Sequence, residues 1–254
     1  MTVTQEQHFA FLLHLGDDAL VLGQRLGAWC GHGPILEEDI ALTNLALDCI
    51  GQARALLTRA GQVEGKGRTE DDLAYFREER EFRNHLLLEL PNGDFGDTLV
   101  RHLLYSTFAY HRMVHFAGQT FDQPLAEIAA RAVKELAYHK AHAADWVIRL
   151  GDGTPESHDR VQSSLLRLWP YTGELFLPHP VDAAAAEVGL LPATSVLQEA
   201  WNAEVNAVLE AATLQRPADG WMHRGGKDGV HTEHMGYLLA EMQSIARSHP
   251  GATW

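Results

Sequence analysis

Apolar residues along this chain recur at spacings of three and four, the period of an α-helix with one buried face. Phe9, Leu12, Leu13, Ala19, Leu20, Leu26 and Trp29 follow that period. Thr4-Gln5-Glu6-Gln7 precedes them, a hydroxyl with Gln three residues on, which is a capping box. Together they predict a first helix from about Thr4 to Cys30, broken by Gly31-His32-Gly33-Pro34. Glu37, Glu38 and Asp39 then place negative charge in the first turn of a second helix, where the helix dipole favours it. Leu42, Leu45, Ile50, Ala53, Leu56 and Leu57 carry that helix to Gly61. From Gly61 to Asp94 the pattern is polar and irregular, with short helical pieces, and Glu89-Leu90-Pro91-Asn92-Gly93-Asp94 closes it as a turn.

A third helix is predicted from about Asp97 to Gly118. A fourth opens at Asp122-Gln123-Pro124, with proline near the first helical position, and ends at Gly151. Thr154-Pro155-Glu156 starts a fifth, reaching about Leu175. A Pro/Ala-rich connector, Leu177 to Pro192, leads to a sixth helix from about Thr194 to Leu214. The glycine-bearing loop Arg216 to Val230 precedes a last helix, about Thr232 to Ser248. No stretch alternates as a strand does. Four helices longer than 20 residues, joined mostly by short turns, predict an all-α four-helix bundle with extra C-terminal helices. It reads as one domain: a core bundle over about 4–151 and additional helices over about 154–249.

Composition narrows the partners. Lys+Arg number 20 against 34 Asp+Glu, a net charge of −14. That opposes nucleic acid or an anionic membrane as the main partner. No uninterrupted apolar run reaches the ~18 residues of a membrane span. The start, MTVTQEQHF, lacks the basic flank and apolar region of a signal peptide. The two cysteines, Cys30 and Cys49, form no CxxC. A cytoplasmic, reduced protein is expected.

A bundle of this kind can hold two irons when two helices each give a Glu and the other two each give Glu-x-x-His. Here the first helix offers only Glu6, Asp17 and Asp18. The second has Asp48-Cys49-Ile50-Gly51-Gln52 where a Glu-x-x-His is expected, and the third has no Glu. The fourth keeps Glu135 and His139, spaced i, i+4. Asp48, Gln52, Glu135 and His139 therefore read as the residual polar core of a lost metal site. One imidazole, two carboxylates and a neutral amide are too few for bridged irons. A hydrogen-bonded network is the expectation, with Lys134 or Arg54 as the neutralising cation. His111/His115 and His139/His142 also sit one helical turn apart, but with 15 His in the chain such spacings arise by chance, and no H-E-x-x-H is present.

Several stretches taken together resemble one family. They are Leu15-Gly16-Asp17-Asp18, the run Gln24 to His32 (QRLGAWCGH), and Asp48-Cys49-Ile50-Gly51-Gln52-Ala53-Arg54. Pro91 to Thr98 (PNGDFGDT) and Gly225 to His234 (GGKDGVHTEH) complete them. The chain, from about Leu12 to Trp254, resembles the C-subunit family of bacterial phenylacetyl-CoA epoxidases, or ring 1,2-phenylacetyl-CoA monooxygenases. The resemblance implies a ferritin-like fold and a structural, non-catalytic subunit with no cofactor of its own. It implies a homologous A subunit that carries the di-iron centre and the thioester substrate. A small B subunit and a flavin and iron–sulfur reductase complete the implied system. A subunit built for a homologous partner can also pair with itself as a homodimer when isolated. The residue pattern leaves two rival readings open: an independent ferritin-like metal-binding protein, and an acyl-CoA-binding accessory module.

Three further segments bear on those readings. The charged run Arg77 to Asn84 is either a solvated face laced with ion pairs or a contact to the partner or the CoA moiety through Glu81, Phe82, Arg83 and Asn84. Arg224 to Gly229 could offer backbone amides and Lys227 to an anion, but it lacks the G-x-x-x-x-G-K-[ST] pattern, and a turn positioning the last helix is the favoured reading. Trp169, Tyr171, Phe176, Trp201 and Trp221 are expected to be mostly core, an exposed member marking a protein interface.

Overall fold

The computed structural model describes residues 3–252. Among them the regular structure is helical, with no strand. The chain divides into two compact units: a central unit, Asn92–Arg224, and a terminal unit made of the segments up to Pro91 and from Gly225 onward.

The terminal unit is built on the hairpin of α1 (Gln5–Gly27) and α2 (Leu36–Glu64). The capping box forms: the Thr4 hydroxyl accepts the Gln7 N–H at 3.2 Å, and the Gln7 side chain accepts the Thr4 N–H at 2.9 Å. α1 stops at Gly27, three residues short of the expected Cys30, because the backbone tightens into turns there. The helices run antiparallel at close range. Gly16 lies under Leu57 and Gly23 under Ile50, where an added Cβ would meet those side chains at 2.7 and 2.8 Å. At the open end Gln5 Nε2 donates to the Val63 carbonyl at 2.7 Å.

Short helices α3 (Glu70–Tyr75) and α4 (Leu86–Glu89), with one 3-10 turn at Glu79–Glu81, occupy the stretch read as irregular. The last helix of the chain (Glu233–Ser248) returns to this unit. Its Gln243 donates to the carbonyls of Ala74 and Arg77 at 3.1 and 3.0 Å, and Arg247 to those of Tyr75 and Arg77 at 3.1 and 2.9 Å. These bonds satisfy carbonyls freed at the C-terminal end of α3, which a helix end otherwise leaves to solvent.

The central unit is a second antiparallel hairpin, α5 (Phe95–Gly118) and α6 (Gln123–Gly151). α5 begins two residues before the expected Asp97, because Asp94 is its cap and Asp97 reciprocates. Phe95 meets Trp146 edge-on at 5.3 Å, and His102 meets His139 at 5.1 Å. α7 (Pro155–Leu168) is shorter than the helix expected to Leu175. Pro170 offers no N–H to continue it, and two 3-10 turns, Trp169–Tyr171 and Gly173–Phe176, follow. The connector read as irregular contains α8 (Pro180–Glu187). α9 (Thr194–Ala211) is pinned by Trp201 Nε1, which donates to the Leu104 carbonyl at 2.7 Å. Trp169, Phe176 and Trp201 form core contacts as expected, while Trp221 is 75% exposed. The final helix, Glu233–Ser248, is α10.

The all-α expectation holds, and the four long helices α1, α2, α5 and α6 are those of a ferritin-like bundle. α2 is apolar on more than its buried side. An 18-residue stretch of it has a mean hydropathy of 1.2 with only 44% of its residues buried.

Candidate functional site

The strongest chemistry in the terminal unit is a set of buried ion pairs beneath the segment Arg77–Glu89. Asp17 and Asp18 are adjacent in the middle of α1, and both are fully buried. Asp17 takes a two-pronged contact from the Arg77 guanidinium, with Nη1 at 2.9 Å from Oδ2, and also accepts the Arg83 N–H at 2.8 Å. Arg77 stacks over the Phe82 ring, 4.1 Å from its centroid, and donates from Nη1 to the Glu81 carbonyl. Asp18 accepts the His85 N–H at 2.9 Å, and His85 Nδ1 lies 2.9 Å from each Asp18 oxygen. Two neighbouring carboxylates thus fasten an otherwise irregular chain at residues 77, 83 and 85.

Glu89, at the end of α4 and fully buried, fastens the return of the chain. Its Oε1 accepts the Thr232 N–H at 2.7 Å, and its Oε2 lies 3.0 Å from His231 Nδ1. His231 Nε2 faces the Phe82 carbonyl at 3.1 Å. Both ring nitrogens therefore face acceptors, and only the imidazolium donates from both. Burial pushes the His231 pKa down, but the Glu89 carboxylate and the Phe82 carbonyl outweigh it and hold it above the ordinary value. Arg25 donates to the Glu89 carbonyl oxygen, so α1, α4 and the start of α10 meet at this residue.

The segment Arg77 to Asn84 is therefore not a solvated helix face. Arg77, Phe82 and Asn84 are buried, and of the four contact candidates only Glu81 and Arg83 reach the surface. The glycine loop packs against this segment. A Cβ on Gly226 would meet the Asn84 carbonyl at 2.0 Å, and one on Gly229, at φ 73°, would meet the Arg80 carbonyl at 2.3 Å. The amides of Asp228, Gly229 and Val230 donate to carbonyls within the loop. They have no free hydrogens to cradle a phosphate, so the loop is the turn that delivers Thr232 to Glu89. Lys227 lies half-buried on its 3-10 turn.

Of the four residues assigned to the lost metal site, Asp48 and Gln52 lie on α2, Asp48 half-buried and Gln52 buried. Arg54, offered as a neutralising cation, binds Glu70 at 3.3 Å instead. In the central unit Glu135 is ion-paired with Arg131 at 2.9 Å, one helical turn back. His139 is fully buried beside His102. Neither ring nitrogen of His102 has a hydrogen-bond partner among the described residues. Burial, reinforced by His139, His142 and Arg101, holds the His102 pKa well below the ordinary imidazole value.

Iron of the ferritin-like type needs carboxylate oxygens and imidazole nitrogens free to ligate. Here Asp17, Asp18 and Glu89 are engaged by Arg77, His85, His231 and backbone N–H groups, and Glu135 by Arg131. Among the described residues no three His, Cys, Asp or Glu side chains converge as metal ligands. This donor set does not fit a di-iron cluster.

The pairs Asp17–Arg77, Asp18–His85 and Glu89–His231 are what sequence reasoning missed. Two adjacent acids inside an apolar helical stripe were the available signal. His102 gave none, as one polar residue among the core positions of α5.

The family profile of the phenylacetic acid catabolic proteins matches residues 1–254. The chain is 46% identical over 246 residues to the C subunit of the 1,2-phenylacetyl-CoA epoxidase of Escherichia coli (strain K12), covering 96% of this chain and 98% of that protein. With its fold, its coverage and the resemblance of its motifs in agreement, the chain belongs to the phenylacetic acid catabolic protein family.

Proposed function

We propose that this chain is the structural C-type subunit of a multicomponent phenylacetyl-CoA epoxidase in aerobic phenylacetate breakdown. It supports a homologous A subunit that carries the di-iron centre and the thioester, alongside a small B subunit and a reductase. The observation that carries the non-catalytic part of this reading is the engagement of the interior carboxylates. A catalytic bundle keeps such groups open toward metal. Here they tie the chain together through charge-assisted hydrogen bonds, which are stronger than neutral ones. The scaffold role then has a physical content: a rigid bundle of the same shape class as its partner, without the chemistry.

The test is co-expression with the A subunit, followed by size-exclusion chromatography and iron analysis of each peak. Co-elution, with iron following the A subunit and well under one iron per chain when this subunit is purified alone, is the expected result. Stoichiometric iron in the isolated chain, or turnover of phenylacetyl-CoA without the A subunit, would overturn it.

A further inference from the structure

α2 carries two apolar seams, and only one is covered. The inner seam, with Leu42, Leu45, Cys49, Ala53 and Leu56, is buried against α1. The outer seam runs Leu36, Ile40, Thr43, Leu47, Ile50 and Arg54, alternating steps of four and three, the spacing of helices that pack along their length. Leu36 is 72% exposed, Ile40 53% and Leu47 63%. Gly51 lies exposed beside this seam, and a Cβ added there would meet nothing within 4 Å. A helix apolar on both sides is normally covered on both sides.

We infer that the outer seam of α2 is a two-fold interface that takes α2 of a second copy of this chain, antiparallel. The seam is complementary to itself in that orientation. With the axis near Leu45, Thr43 of one copy meets Leu47 of the other. Ile40 falls opposite Ile50 and the bare notch at Gly51, so a branched side chain enters a gap of matching size. The ends match in charge: exposed Glu37, in the acidic first turn, comes beside Arg54 of the other copy, whose side chain is 77% exposed. A two-fold contact uses one patch twice, which this register provides. From Leu36 to Arg54 the seam is roughly 27 Å long at 1.5 Å per residue. That falls short of the ~800 Å² per partner of a standard interface, so the dimer is a weak one, with a dissociation constant on the order of 10 µM.

Sedimentation equilibrium of the full chain from about 1 µM to about 200 µM reads this directly. The wild type shifts from monomer to dimer across that range. Leu47→Glu, at an exposed position, keeps its helical circular dichroism and raises the dissociation constant at least about 30-fold, as expected for a charge at an interface centre. Gly51→Gln fills the notch and raises it about tenfold, although it improves intrinsic helix propensity. Glu37→Arg and Arg54→Glu each weaken the dimer, and the double variant restores it, an outcome that a merely sticky surface does not produce. A wild type that stays monomeric at about 200 µM overturns the inference, as does a Leu47→Glu variant that dimerises like wild type. Binding of the wild type to neutral phosphatidylcholine vesicles without any dimer in solution also overturns it, assigning the face to a membrane surface.

Discussion

The two units bury histidine in opposite ways. In the terminal unit, His85 and His231 each lie against a carboxylate, Asp18 and Glu89. In the central unit, His102 lies against another imidazole, His139, with Arg101 and His142 nearby. Both arrangements exclude water, but they answer the cost of burial differently. The first supplies each charge with an opposite charge and further hydrogen bonds. The second stays neutral and packs the rings as apolar bodies. A buried ion pair contributes little net stability but makes removal of one partner very costly. A neutral buried imidazole costs little until it is protonated. The terminal unit is therefore sensitive to deletion of a partner, and the central unit to acid.

The largest expected effect breaks the first arrangement. Asp17→Ala leaves the Arg77 guanidinium, 2% exposed, without its counter-charge, and should lower unfolding free energy by about 3–5 kcal/mol. Urea denaturation followed by circular dichroism measures it. The double variant Asp17→Leu/Arg77→Met removes both charges and should recover much of the loss. A double variant as unstable as the single would show that packing, not charge, sets the effect.

Next is Glu89→Gln, which keeps the shape but leaves His231 facing an uncharged partner. A loss of about 1–3 kcal/mol is expected, concentrated at the return of the chain. Hydrogen exchange should show the amides of Glu233–Ser248 losing protection before those of α1 and α2. Uniform loss across the unit would mean that Glu89 is not a local fastening.

Titration separates the two units. His231 is raised in the folded state, so its contribution is complete below the unfolded value of about 6.5 and is lost as pH rises through its folded value. His102 is depressed, so the unfolded chain binds a proton that the folded chain refuses. Stability therefore falls as pH drops below about 6.5, with a limiting slope of roughly 1.4 kcal/mol per pH unit for one proton. Hydrogen exchange across pH 5.5 to 8.5 should loosen α5 and α6 at the acid end and α10 at the alkaline end. His102→Leu should flatten the acid limb alone. An acid limb unchanged in that variant would place the responsible proton elsewhere.

How much of this was legible in the sequence follows from the range of the interactions. The long helices, their caps and most of their ends are local matters of period and capping, and Thr4, Asp122 and Thr154 all cap as their patterns indicate. The ion pairs are not local. Asp17 meets Arg77 and Asp18 meets His85 across sixty residues or more, and Glu89 meets His231 across more than twice that. No periodicity carries such a pairing, so Arg77 to Asn84 read as a solvated run when its arginine and phenylalanine are core. The scarcity of iron ligands was legible, because it is a count of residue types along each helix. What the carboxylates do instead required three dimensions. The outer seam of α2 was visible in the spacing of Leu36, Ile40 and Leu47, but a single sequence does not say which of two apolar faces finds cover.

The smallest effect sharpens the comparison by its weakness. Glu135 looks on sequence like a relic of metal chemistry, and a buried network there would make its loss costly. Its ion-pair partner is Arg131, whose side chain is 81% exposed. Exposed pairs one helical turn apart contribute about 0.3–0.5 kcal/mol, so Glu135→Ala should cost less than about 1 kcal/mol. The same substitution chemistry at Asp17 should cost several times more, although both residues are carboxylates beside an arginine. If thermal or urea melts instead rank Glu135→Ala with Asp17→Ala, then α6 retains a polar core of its own, and the division of the molecule into an ion-paired unit and a neutral one fails.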